Sequence, residues 1–253
     1  MKISFWVVLF LRKSVLSSMF VLILIRILLV SNLPFVVSLG FNGKKEKYMN
    51  IESLTKDLPV VFTGSFQRAS LYSFFTGREA MVVSSLYSRL TQFDIWQFEK
   101  KYNNKPVFIC EYVDDRQKIN KRNGLLLKQF KTDSLQTTNR IRIGSSFHEK
   151  ILHSGDFLNL ILTIYSPYEY DIDFNHKQFP VMIYLAFLAG EETHLFKSKL
   201  QEPLSIIRSG ETITRTLRTI VPDLPPGNYQ FGISLDNSLG PAFNSSFSSI
   251  KII

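Results

Sequence analysis

The chain has 253 residues and a single cysteine, Cys110, which excludes an internal disulfide and fits either redox compartment. Its glycines are not spaced as a phosphate loop, and no Gly-x-Ser-x-Gly elbow surrounds a serine nucleophile. The four histidines, His148, His153, His176 and His194, are scattered without metal-ligand spacing. No cofactor or metal is therefore expected. Basic residues are not interleaved with aromatics along one strand or helix, so nucleic acid is not expected as a partner. There is no internal repeat or low-complexity tract. Disorder is excluded by composition, since 45% of residues are hydrophobic, with 22 Phe and 10 Tyr.

Acidic residues are missing from the start of the chain, the first being Glu46. Residues 1–40 hold four basic residues, residues 41–139 hold sixteen basic against ten acidic, and residues 140–253 hold ten against eleven. The positive excess thus lies in the first part of the chain, where it suits anionic lipid or a lipid-linked phosphate. From Ser14 to Gly43 the only charged residue is Arg26. An apolar run from Val15 to about Leu39 is long enough to span a bilayer as a helix, and no signal-peptide cleavage site follows it. Arg12 and Lys13 favour a cytoplasmic N-terminus, and Lys44, Lys45 and Lys47 on the other flank weaken that orientation. Arg26 either snorkels from a tilted lone helix or faces other transmembrane helices, which would then be partners.

Beyond this segment the pattern predicts an α+β architecture of three parts: a transmembrane segment over 1–42, a small α/β domain over 43–139 and an antiparallel immunoglobulin-like β-sandwich over 140–253. Residues 43–56 read as a linker or a short amphipathic helix. Leu58–Phe62 reads as a strand and Ser65 as the N-cap of a helix that Gly77 stops. Ala80–Ser84 predicts a second strand, Gln92–Tyr102 a second helix and Pro106–Tyr112 a third strand, with a turn at Asn123-Gly124. Further on, strands are predicted at Phe157–Tyr165, Pro180–Phe187, Thr212–Val221, Tyr229–Leu235 and Ser248–Ile252.

Two clusters carry whatever chemistry there is. In the first, Gln67, Arg68 and Tyr72 lie on a helix that opens directly after a strand, where unpaired backbone N–H groups and the helix dipole favour an anion. A packing helix with a solvated polar face is the alternative. In the second, Arg89 and Asp94 are spaced to pair, and Trp96 suits a membrane interface or a domain junction. Cys110 lies in an apolar strand and reads as a small core residue. Asp114-Asp115 reads as a turn before it reads as a cation site. Asn244-Ser245-Ser246 matches a glycosylation sequon, a triplet that also arises by chance.

Leu58-Pro59-Val60-Val61-Phe62, Gln67-x-Ala69-Ser70-x-Tyr72-x-Phe74-Phe75-Thr76-Gly77 and Arg89-x-x-Gln92-Phe93-Asp94-x-Trp96 together resemble the soluble C-terminal portion of bacterial GT-C-type glycosyltransferases of the dolichyl-phosphate-mannose protein mannosyltransferase and aminoarabinose transferase kind. The resemblance implies a last transmembrane helix, an α/β unit and a β-rich tail facing the periplasm of an inner-membrane enzyme. It also implies a polyprenyl-phosphate-linked sugar as donor. In that family, acidic residues of the first extracytoplasmic loop act at the acceptor. Here no position matches them, so no catalytic residue carries over. The expectation is an extracytoplasmic part that is inactive alone, as a fragment or a split subunit. The alternative is a stand-alone membrane-anchored binding module whose sandwich recognises a protein or glycan.

Overall fold

The computed structural model describes residues 5–30, 44–55, 57–87, 91–112, 127–190 and 192–253. They form a mixed α+β structure dominated by strands in several sheets. The chain divides into two compact units, residues 1–56 and 57–253.

The first unit contains two helices, α1 (Phe5–Val30) and α2 (Lys44–Thr55). Side chains of α1 are described over residues 13–27, and all of them are exposed, from Val15 and Leu16 to Ile25 and Ile27. Among the described residues, no helix is long and apolar enough to cross a membrane. Of the expected span from Val15 to about Leu39, the part from Ser31 onward lies outside the described residues. In α2 the buried residues are Tyr48, Ile51 and Thr55, a spacing that places them on one helical stripe.

The second unit opens with a βαβ element. β1 (Val60–Thr63), α3 (Phe66–Thr76) and β2 (Ala80–Val83) follow one another, and β1 and β2 pair in parallel. Helix α3 begins after Ser65 and ends on Gly77, whose φ of 71° is the left-handed conformation that glycine supplies without a steric cost. β3 (Val107–Tyr112) pairs in parallel on the other side of β1, and β4 (Leu127–Thr132) pairs antiparallel with β3. The sheet order is thus β2-β1-β3-β4. Both faces of β1 and β2 are buried, as the unbroken apolar runs require of a covered parallel sheet. On one face Phe62 packs against Tyr72 of α3, with ring centroids 5.8 Å apart. On the other, Val61, Met81, Val107 and Ile109 pack with Tyr102, Leu135, Phe179 and Leu239.

The helix expected over Gln92–Tyr102 is broken. α4 spans only Gln92–Ile95, and Gln97, at φ 54°, turns the chain into a 3-10 turn over Phe98–Lys101. A non-glycine residue in the left-handed region cannot continue a right-handed helix.

Two sheets share the remaining core. One has the order β12-β7-β5, from β5 (Arg142–Ser145), β7 (Phe157–Tyr165) and β12 (Thr212–Ile220). The other has the order β10-β9-β13-β14-β6, from β6 (Ile151–Leu152), β9 (Met182–Ala189), β10 (Glu192–Ser198), β13 (Gly227–Asp236) and β14 (Ser248–Ile252). Two short strands, β8 (Ile172–Asp173) and β11 (Ile206–Ile207), pair separately. β7 alternates strictly, with Leu158, Leu160, Leu162 and Ile164 buried and the residues between them exposed. Its buried side meets Leu185, Phe187, Phe231, Ile233 and Leu235 of the other sheet.

The segment joining the parallel sheet to these sheets is no loose linker. Leu135, Gln136, Thr137 and Thr138 are all buried. Gln136 donates to the Asp173 carbonyl (2.8 Å) and accepts from the Asp173 N–H (2.9 Å), while Asn237 donates to the Gln136 carbonyl. Asn244 accepts from the Leu235 N–H (2.7 Å) and donates to the carbonyls of Thr138 (2.8 Å) and Ile141 (2.9 Å). Its amide is fully used in the fold, so the Asn244 sequon is not presented as an open acceptor.

Candidate functional site

A groove of about 690 Å³ lies between α3 and α4. Phe66, Ser70 and Ser73 of α3 form one wall, and Thr91, Gln92, Phe93, Trp96 and Phe98 form the other, with Glu79 and Ala80 between them. Helical spacing explains the first wall, because positions 66, 70 and 73 fall on one stripe. The second wall is positioned by Asp94. One of its carboxylate oxygens accepts from Ser84 Oγ (2.7 Å), the Thr91 N–H (2.7 Å) and Thr91 Oγ1 (2.9 Å). These bonds cap α4 and tie it to the residue that follows β2. Ser84 also accepts, through its carbonyl, from Asn139 Nδ2 (2.7 Å).

Of the six residues singled out from sequence, Trp96 lines the groove and Asp94 holds the wall that carries it. Gln67 and Arg68 are not among the lining residues. Gln67 is exposed, and Arg68 donates to the Thr63 carbonyl at 3.5 Å. Tyr72 is completely buried in the core under α3. Arg89 lies outside the described residues, as do Asp114, Asp115, Asn123 and Gly124. The groove's chemistry is apolar. Phe66, Phe93, Trp96 and Phe98 dominate it, and the one charged lining residue among the described residues, Glu79, is met by Lys101 at 3.0 Å. Phe93 and Phe98 stack edge to face at 5.2 Å, and Lys101 lies 5.1 Å from the Phe98 ring centre.

Behind this wall lies a buried polar cluster that sequence reading missed. Glu99 Oε2 accepts from Thr137 Oγ1 (3.1 Å), and Glu99 Oε1 lies 3.6 Å from Arg140 Nε. Thr137 Oγ1 also accepts from Asn103 Nδ2 (2.8 Å) and sits 3.2 Å from the Tyr168 hydroxyl. Because the Thr137 proton goes to Glu99, Tyr168 must donate to Thr137 while accepting from the Arg140 N–H (3.1 Å). Burial pushes the Glu99 carboxyl up to about 7, against the pull of the Thr137 hydrogen bond and the Arg140 charge. Burial, with Glu99 nearby, also pushes the Tyr168 and Tyr170 hydroxyls well above the ordinary phenol range. Glu99 is only 12% exposed and is not among the groove's lining residues. The cluster is an electrostatic joint between the 3-10 turn and the residues that lead into the sheets after residue 140.

Among the described residues, no three His, Cys, Asp or Glu side chains are grouped as metal ligands. His176 accepts from the Phe179 N–H (3.1 Å) and stacks on its ring. Cys110 is buried in β3.

No family model and no curated protein matches the chain. Among solved structures it is similar in part to the alkylpurine DNA glycosylase AlkC of Pseudomonas fluorescens, with 11% identity over 44% of this chain and 30% of that one and a TM-score of 0.30. It is also similar in part to a β-glucosidase of Listeria innocua, with 14% identity over 45% of this chain and 16% of that one and a TM-score of 0.26. A human PapD-like domain, from CEP192, gives 9% identity over 47% of this chain and 87% of that one and a TM-score of 0.19. The chain thus spans less than a third of the length of the first two. At these scores the likenesses bear on neither family nor function.

Proposed function

We propose that this chain is the C-terminal extracytoplasmic part of a membrane glycosyltransferase that uses a polyprenyl-phosphate-linked sugar, and that it is inactive alone. The observation that carries this reading is the meeting of the resembling stretches. Two runs separated in sequence, Gln67–Gly77 and Arg89–Trp96, contribute walls of the same groove through α3 and α4. A shared groove gives one reason for both stretches to have the residues they have, whereas two unrelated packing helices would not need it. The finer architecture belongs to the same proposal. α1 is its bilayer-spanning helix, the last of a set, and the paired sheets after residue 140 are an immunoglobulin-like sandwich. In support, α1 leaves its apolar side chains over 13–27 bare, and β7 keeps the two-residue alternation of a sandwich strand.

The alternative, a membrane-anchored binding module, is favoured by one observation. The outer face of β7 and β12 exposes Phe157, Ile161 and Ile220 beside Asn159, Arg218 and Thr216, a mixed apolar and polar surface of the kind that binds partners. Incubating the purified full chain with a polyprenyl-phosphate sugar and an acceptor tests the first reading. No transfer is expected, because no residue matches the family's catalytic acid, and turnover by this chain alone overturns it. Upstream genomic sequence separates the two readings: an in-frame extension encoding further apolar spans favours the enzyme, and a ribosome-binding site directly before Met1 favours the module.

A further inference from the structure

The 3-10 turn over Phe98–Lys101 faces two ways. Phe98 lines the groove, where it meets Phe93 edge to face and lies 6.2 Å from the Trp96 ring. Glu99, the next residue, turns into the buried polar cluster. On the outside the turn is held by Lys101 to Glu79 and Lys100 to Glu169, both exposed pairs that contribute little. Inside, Glu99 is its buried polar anchor.

The hydrogen bonds around Glu99 suit a neutral carboxyl. Oε2 accepts one bond from Thr137, whereas Oε1 is buried with no hydrogen-bond partner among the described residues, Arg140 Nε standing 3.6 Å away. Asn103, which also bonds to Thr137, holds a second buried acceptor, Oδ1, without a donor among the described residues. A protonated carboxyl adds a donor to this set, and an ionised one adds a charge that only one hydrogen bond satisfies. The charges nearby pull both ways. Arg140 and Lys100 favour the anion, and Asp94 of α4 opposes it. Tyr168 and Tyr170 keep their protons, since burial holds both hydroxyls well above the ordinary phenol range.

We propose that Glu99 is a proton-operated catch: protonated, it holds the turn and the groove wall built on it, and ionised, it lets them open without unfolding the sheets. Burial places the change of charge at about 7. Opening returns the carboxyl to water and to its ordinary value of 4.5, so rising pH favours the open form until Glu99 is ionised in the closed form as well. The wall that carries Phe93, Trp96 and Phe98 is thus held in weakly acidic surroundings and loosened in neutral to alkaline ones. The inference stands apart from the glycosyltransferase reading, because it uses only the turn and its neighbours.

Hydrogen exchange of the full chain tests it. The amides of Lys100, Tyr102 and Asn103 donate to the carbonyls of Gln97 and Glu99 and report on the turn, while those of β7 report on the sheets. After correction for the intrinsic rate, the turn should be less protected than β7 at every pH. Its protection should fall about tenfold between pH 6 and pH 8, the ratio imposed by a carboxyl that moves from about 7 to 4.5 on opening. Glu99→Gln should keep the turn's protection constant over that range. Turn protection equal to that of β7 overturns the catch, because the turn then has no opening of its own. A fall that is absent, or that is shared by Glu99→Gln, also overturns it. Should Glu99→Gln exchange freely in β7 as well, the parent decides alone: its infrared spectrum must show a protonated carboxyl that titrates with the same midpoint as the turn's protection, and the lack of such a band overturns the proposal.

Discussion

Glu99 sits between a hydroxyl, a guanidinium and two tyrosines, in a space that water barely enters. Its protonated form is favoured in the folded chain and not in the unfolded one, where the carboxyl returns to its ordinary value of 4.5. Raising the pH from about 4.5 to about 7 therefore removes stability, because the folded state must give up a proton that it holds more tightly than the unfolded state does. Above that window the loss is complete, at ~3 kcal/mol for a shift of this size. Glu99→Gln should match the parent near pH 4.5 and exceed it by up to about that amount at pH 8, read as the difference in urea midpoints. Stability of the parent that rises through this window relative to the variant contradicts the assignment. None of this was legible in Phe98-Glu99-Lys100-Lys101, which reads as a solvated charged run, because burial of the carboxylate is set by Thr137, Arg140 and Tyr168, all far away in the chain.

At the scale of elements, strands with strong local patterns were readable. β7 and β14 begin and end where alternation and turn residues placed them, and α3 runs from its Ser65 cap to its Gly77 stop. The helix expected from Gln92 to Tyr102 was not, because its break depends on Gln97 adopting a left-handed conformation and on Asp94 taking its bonds from Ser84 and Thr91. The Arg89–Asp94 pair proposed from spacing lies outside the described residues, since Arg89 does. β4 and β10 were missed, since Lys128 and Lys131 in the first and Glu192, His194 and Lys197 in the second blur the apolar pattern of edge strands. Asp94 is the residue on which α4 depends. Asp94→Ala should cost about 1–2 kcal/mol from the lost cap and the stranded Ser84 hydroxyl, and should lower Trp96 fluorescence anisotropy, whereas Asp94→Asn should recover much of both. An unchanged melting temperature in the alanine variant removes the capping role.

For the molecule as a whole, the sequence change near residue 140 marks the transition from the sheet that carries the βαβ element to the mainly antiparallel sheets that follow it, but it conceals how closely the two regions are joined. The amides of Gln136, Asn237 and Asn244 are committed across that transition, and no local pattern announces a bond between residues a hundred positions apart. The physical consequence is shared cooperativity. Residues 57–253 should unfold in one transition, with Trp96 fluorescence and far-ultraviolet circular dichroism giving the same urea midpoint. Two separated midpoints would show that the parallel sheet stands without the sheets that follow it.

The pairing of Phe179 and Leu239 with Val61, Met81 and Ile109 in one core also sets a schedule. A ribosome delivers the last strand of the parallel sheet well before Leu239, and at translation rates of ~5–20 residues per second the interval is roughly 5–20 s. Throughout that time the sheet has one side closed by α3 and the other, which Tyr102 and Leu135 cover in part, still lacking Leu239. A newly made chain must therefore wait half-finished, and chaperone occupancy during synthesis should peak after β4 has emerged and fall once Leu239 clears the exit tunnel.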